Sequence, residues 1–227
     1  QQAESVALEE NLRMGLGTVA DELRRAGYGL PPILLSAWVP WVSGFTTNPR
    51  IVQGSGSNPD TLSVAGCTST PVATLSASAA EDDKSLTLSS TSGLNATNRR
   101  LIRIADAENA HVKSVSGSSV TIDTDPGKSS NQGLSRGYPA GTPVCRVDVL
   151  TFDVATDAST GLPALRLNRN QGAGPEAAVE GITDFQVTTV ESGRRYAIAL
   201  TARSERNDPF LGSFLTRQMS TGVTLKN

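Results

Sequence analysis

Long hydrophobic runs are missing from this sequence. None of its 227 residues belongs to the ~20-residue apolar segment that a membrane span requires. No signal-peptide pattern occurs, so a membrane anchor, if the mature protein carries one, is expected upstream of Gln1. Aromatic residues make up only 4% of the chain, so any core must be built from Val, Leu, Ile and Ala. A single histidine excludes histidine-pair metal sites. Lysine plus arginine total 20 against 22 acids, a net −2 that creates no global field for nucleic acid or anionic lipid. Cysteine is limited to Cys67 and Cys145, each in or beside a strand-like run. A bridge between them would close a long loop and imply an oxidising compartment. Two buried free thiols are the alternative.

What is present begins with an amphipathic helix, expected over Gln1–Gly29. Leu8, Leu12, Leu16, Val19 and Leu23, flanked by Ala3 and Ala26, recur mostly at three- and four-residue steps and form one packing stripe. Acids weight the first half and Arg24-Arg25 closes the last turn, the order the helix dipole favours. Gly15 and Gly17 oppose the helix by about 1 kcal/mol each relative to alanine. Gly27, Gly29 and Pro31-Pro32 supply the stop. With no capping residue before Gln1 and Gln2, the sequence is expected to begin inside a longer helix.

Leu30–Pro49 is an apolar, proline-punctuated connector holding both tryptophans. It is expected to lie across a sheet edge or the helix flank; Trp38, Trp41 and Phe45 are alternatively a partner-seeking surface. A strand is predicted over 61–66. From Thr68 the chain turns to Ser, Thr, Gly and Ala, with short strands predicted at 85–88, 100–104, 111–115 and 119–122 and a mobile loop at 128–137. Further strands are predicted over 143–154, 162–168, 182–190, 196–202 and 223–225, an antiparallel meander with the helix on one face. The expected fold class is therefore α+β: one long helix on an antiparallel sheet, with an inserted small β-module. The expected organisation is 1–67 (helix, connector and first strand), 68–141 (β-module) and 142–227 (remaining sheet).

Catalytic constellations fail on inspection. His111 has no partner histidine, and Glu81-Asp82-Asp83 lacks the alternating oxygens of a calcium loop. Asp123 and Asp125 beside Pro126-Gly127 are turn formers. Gly127-Lys128-Ser129 lacks the first glycine of a phosphate loop, Ile122 holding its place. Gly54-Ser55-Gly56 is no dinucleotide fingerprint, and no Gly-x-Ser-x-Gly elbow precedes a helix. Scattered arginine pairs without interleaved aromatics argue against nucleic acid. Neither an enzyme, a metal site nor a cofactor is expected.

The two ends of the chain carry a resemblance. Glu10-Asn11-Leu12-Arg13, followed by Ala20-Asp21-Glu22-Leu23-Arg24-Arg25-Ala26-Gly27-Tyr28, resembles the stretch after the transmembrane half of type IV pilin helices. It is most similar to PilW-type minor pilins, whose helix ends in Leu/Ile-Arg-x-Ala-Gly-Tyr. Asp60–Val64, Val179–Val187 and Val223–Asn227 resemble strands of that family. The block 68–141 lies outside the resemblance. It implies a pilin-like fold and a structural subunit that helps initiate a type IV pilus and sits near its tip. It implies other minor pilins and the major pilin as partners. The implied location is the inner membrane with a periplasmic domain, then the extracellular fibre. A type II secretion pseudopilin (GspJ-like) and an extracellular adhesin or binding domain are the rival expectations.

Overall fold

A computed structural model describes residues 2–28, 30, 35–56, 58–67, 71–191, 193–208 and 212–225. Helix α1 runs Gln2–Arg24 and is followed by a single-turn helix α2, Leu35–Trp38. Strands follow as β1 (Arg50–Val52), β2 (Thr61–Cys67), β3 (Ala73–Thr74), β4 (Ser85–Thr87), β5 (Leu101–Ile104), β6 (Glu108–Ser116) and β7 (Ser119–Asp123). Then come β8 (Pro143–Thr156), β9 (Pro163–Asn168), β10 (Pro175–Glu180), β11 (Ile182–Glu191), β12 (Arg195–Asp208) and β13 (Ser213–Thr224). Every strand pair is antiparallel. The fold is α+β.

Helix α1 ends at Arg24, just before Gly27, the first of the expected stop residues. The Arg25 and Ala26 amides bond back to Glu22 and Leu23 in a tightened last turn. Gly27 then takes φ 85° and turns its amide to the Ala65 carbonyl of β2 at 2.9 Å. Gly29 and residues 31–34, including Pro31-Pro32, lie outside the described residues. Leu8, Leu12, Leu16, Val19 and Leu23 are buried together against side chains from both sheets, among them Phe152, Leu165, Phe185 and Leu200. Each such burial stabilises by about 1.5–3 kcal/mol. Gly15, unfavourable for helix propensity, has a packing reason: a Cβ there would sit 2.8 Å from Leu200 Cδ1, so glycine lets α1 approach the strands closely.

The predicted single meander is divided in two. β11-β12-β13 form a three-stranded sheet of their own, while β8, β9 and β10 belong to the larger sheet with β2. The chain crosses between sheets at Gly181, whose φ of 78° breaks the strand. Its amide donates to the Pro163 carbonyl (2.7 Å) and its carbonyl accepts from Arg203 of β12 (2.9 Å). Asp60, 2% exposed, joins the sheets from the other side. Its carboxylate accepts the Gly54 and Val187 amides, both at 2.8 Å, and its own amide donates to Phe185.

β8 serves two neighbourhoods. Residues 147–152 pair with β2, while 144–146 pair with β5. Around residues 144–146, β3 to β7 enclose a separate cluster that includes Leu75, Leu86, Ile102, Ile104, Val112, Ile122 and Val144. The predicted mobile loop at 128–137 is instead tied down. Leu134 is 1% exposed and exchanges backbone bonds with Asp82 and Asp83, and the Gln132 amide donates to Asp123. The pattern of small polar residues concealed that anchor.

Cys67 at the end of β2 and Cys145 in β8 form a disulfide, Cα atoms 5.8 Å apart. It closes the neck through which the chain leaves for residues 68–144 and returns.

Candidate functional site

The buried stripe of α1 leaves its opposite face open. Ala3, Ala7, Glu10, Met14, Gly17 and Asp21 are exposed there. Their steps of four and three repeat like the seam of packed parallel or antiparallel helices. Val6 beside the stripe and Met14 within it expose 55% and 53% of their surface. A Cβ at Gly17 would meet nothing within 4 Å, so here glycine does not serve the fold. Three small residues and one adaptable methionine, interrupted by Glu10 and Asp21, leave room for close approach by another helix. The periodicity that marks the inner stripe in the sequence contains this outer one as well.

Flanking the first turns of α1 is a cavity of about 310 Å³. Ala7, Leu8, Leu162 and Pro163 give it an apolar floor. Glu4, Glu180 and Glu205 line it without ion pairs among the described residues. Its wall is a bulge in β12, where the pairing with β13 slips between Arg203 and Asn207. Ser204 Oγ holds the bulge, donating to the Arg206 carbonyl (2.7 Å) and accepting the Leu215 amide (3.0 Å). The Arg203 guanidinium lies over the Phe214 ring, 4.3 Å from its centroid. No local sequence signal marks this cavity, because the bulge depends on a long-range strand register. A smaller cavity of about 120 Å³ lies at the other end of α1, between Glu22, Arg25, Asp148 and Arg169. Burial pushes the Glu22 carboxyl above its ordinary range despite its bond to Arg25.

The connector supplies the third feature. Of its three aromatic candidates, Phe45 has no exposed surface and cannot belong to a partner surface. It packs with Val39, Ala65, Leu101, Val147 and Val149 beside the disulfide. Trp38 and Trp41 are half-buried over His111 of β6, with ring centroids 5.2 and 6.1 Å away. The Arg100 guanidinium stacks on Trp41 at 4.6 Å. The connector is thus laid across the strands, and of its three aromatic candidates the two tryptophans keep some exposure.

His111 Nε2 donates to the Trp38 carbonyl at 2.8 Å, a carbonyl oxygen being able only to accept. Burial holds the imidazole below its ordinary 6.5; Arg100 and Lys113 push the same way, and the Trp38 bond and Asp123 oppose them. With the folded value depressed, the unfolded chain takes up the proton first. His111 therefore contributes stability that is present above about pH 6.5 and is lost as the pH falls below it. The urea midpoint is expected to be lower at pH 5.0 than at pH 7.5, with a smaller drop in His111→Gln. Equal drops in the two proteins would refute the role. Glu22 titrates with the opposite sign but is common to both and cancels.

These features offer surfaces and cavities for contact. No helix among the described residues is long and apolar enough to cross a membrane. Comparison with family models, curated proteins and solved structures yields no match.

Proposed function

We propose that this chain is a minor pilin of the PilW type, a structural subunit that helps initiate a type IV pilus and sits at or near its tip. The observation that carries the reading is the two-sided α1. One stripe is sealed against both sheets, while the other presents Ala3, Ala7, Met14 and Gly17 at seam spacing, exposed among the described residues. A helix so divided is suited to hold its own domain inward and a neighbouring subunit's helix outward. The resemblance at Leu23–Tyr28 and Val179–Val187 supports the same assignment. In this reading a hydrophobic half-helix upstream anchors the chain in the inner membrane before assembly. The domain faces the periplasm and later the exterior. Other minor pilins and the major pilin are the partners, and no cofactor takes part. Residues 1–67 and 142–227 form the assembly unit, and 68–141 is an inserted module presented outward.

Gly17→Trp tests this directly, because the space above Gly17 is open and the domain should fold unchanged. In cells carrying this variant as their sole copy, surface filaments are expected to fall by on the order of tenfold, with the protein still present at normal levels. Gly17→Cys is expected to cross-link to other pilin-type subunits. Normal filament numbers and no cross-link would overturn the assignment. Normal filaments with lost protein secretion would transfer it to a type II secretion pseudopilin.

A further inference from the structure

The two edges of the β11-β12-β13 sheet are treated differently. On the β11 side, Asp60 occupies the Phe185 carbonyl and the Val187 amide, and Gln53 Nε2 donates to the Val187 carbonyl at 3.0 Å. That edge is closed. On the far side, among the described residues, β13 pairs with β12 alone.

Its register shows what the open edge presents. The Leu225 amide crosses to the Arg194 carbonyl at 2.8 Å, and the Leu215 amide to Ser204 Oγ at 3.0 Å, both on the β12 side. Backbone groups alternate in an antiparallel strand, so odd-numbered residues between these points bond inward. Thr216, Gln218, Ser220, Gly222 and Thr224 turn their amides and carbonyls outward. All five are exposed.

Sheet edges are ordinarily guarded by shortness, proline, lysine or an inward charge. β13 runs 12 residues, about 40 Å at the usual rise, without proline or lysine. Its one charge, Arg217, is turned to α1 and donates to Ser5 Oγ at 3.0 Å. Leu215 and Met219, on the α1 side, are only partly covered. On the other face the residues that border the edge are Thr216, Gln218, Ser220, Gly222 and Thr224, all uncharged.

We propose that the free edge of β13 is a strand-docking site, which takes an extended, uncharged segment of another protein as a fourth strand. Five residues' worth of outward amides and carbonyls fix the ligand as polypeptide backbone. Alternating apolar and hydroxyl side chains suit it, the apolar ones covering Leu215 and Met219 and the hydroxyls lying beside Thr216 to Thr224. This holds whether or not the chain is a pilin.

The probe is a capped nine-residue peptide of alternating valine and threonine, added to the full chain while amide exchange is followed residue by residue. Before addition, the odd-numbered amides of β13 are protected and the even-numbered ones exchange freely. With peptide, exchange at 216, 218, 220, 222 and 224 is expected to slow by on the order of tenfold or more. Ser220→Pro should abolish that slowing while the odd-numbered amides stay protected, because its N–H faces outward and is not used by β12. Should proline disturb the strand, the same peptide N-methylated throughout, which has no donors, is expected to give no protection to the wild-type chain. The proposal is overturned by unchanged exchange at about 1 mM peptide, or by protection confined to other strands. It is equally overturned if the even-numbered amides become protected with protein concentration alone, which would make the occupant a second copy of this chain.

Discussion

Replacing Cys67 and Cys145 together with alanine is expected to cost about 4.5 kcal/mol of unfolding free energy, the chain-entropy value for a loop closed across 78 residues. For a chain of this length that corresponds to a fall of roughly 9–18 °C in Tm. The size follows from what the bridge restrains. Without it, β2 and β8 are reunited only by folding, and the intervening strands must be gathered from a much wider ensemble. The bond also sits in a packed neighbourhood with Phe45, Leu101 and Val147, so its removal loosens the connector. Chemical reduction of the wild-type chain should reproduce the variant's denaturant midpoint. A double variant within about 1 kcal/mol of wild type would mean that the loop is already restrained in the unfolded chain.

Asp60→Ala is expected to cost about 3 kcal/mol, since it leaves the Val187 amide buried and the Gly54 amide half-buried without an acceptor. Asp60→Asn keeps one acceptor oxygen and should lose roughly half as much. The loss should be local as well as global. Exchange at Val187 should quicken more than exchange in β8, because the carboxylate ties the two sheets together rather than completing either one. A variant whose stability and Val187 exchange both match wild type would show that the carboxylate is dispensable and that α1, the Gly181 crossing and the Asp60 amide suffice to hold the sheets together.

Much of this architecture was legible in the chain. The leucine stripe of α1 and the alternating runs of β9 and β12 obey simple periods, because each presents one face to a core. β2 and β8 read as strands although both their faces are buried, Leu62 and Phe152 toward α1 and Ala65 and Val149 toward the connector. β13 did not announce itself beyond 223–225. Over 213–222 its residues are mostly polar, since its open face meets solvent and α1 covers only Leu215 and Met219 in part. β10 was hidden behind Gly174-Pro175, which reads as a turn. The division into two sheets hangs on Gly181 and Asp60, single residues whose meaning comes from partners far along the chain: Pro163, Arg203 and Val187. For the candidate site, the outer stripe of α1 could be read from the same spacing as the inner one. The cavity beside it could not, because the Ser204–Arg206 bulge exists only once β12 and β13 have found their register. Phe45 lies near Trp38 and Trp41 in sequence, but folding points it inward to the disulfide.

The closed neck has a mechanical meaning. A pull applied between the helix and the C-terminal strands travels along covalent bonds until it reaches Cys67, and there the sulfur bridge offers a shorter road to Cys145. Tension bypasses everything between. The enclosed residues represent about 270 Å of fully extended chain that cannot be drawn out while the bridge is intact. A unit slung in this way can be strained, opened or cut at its outer turns without lengthening the molecule that bears the load.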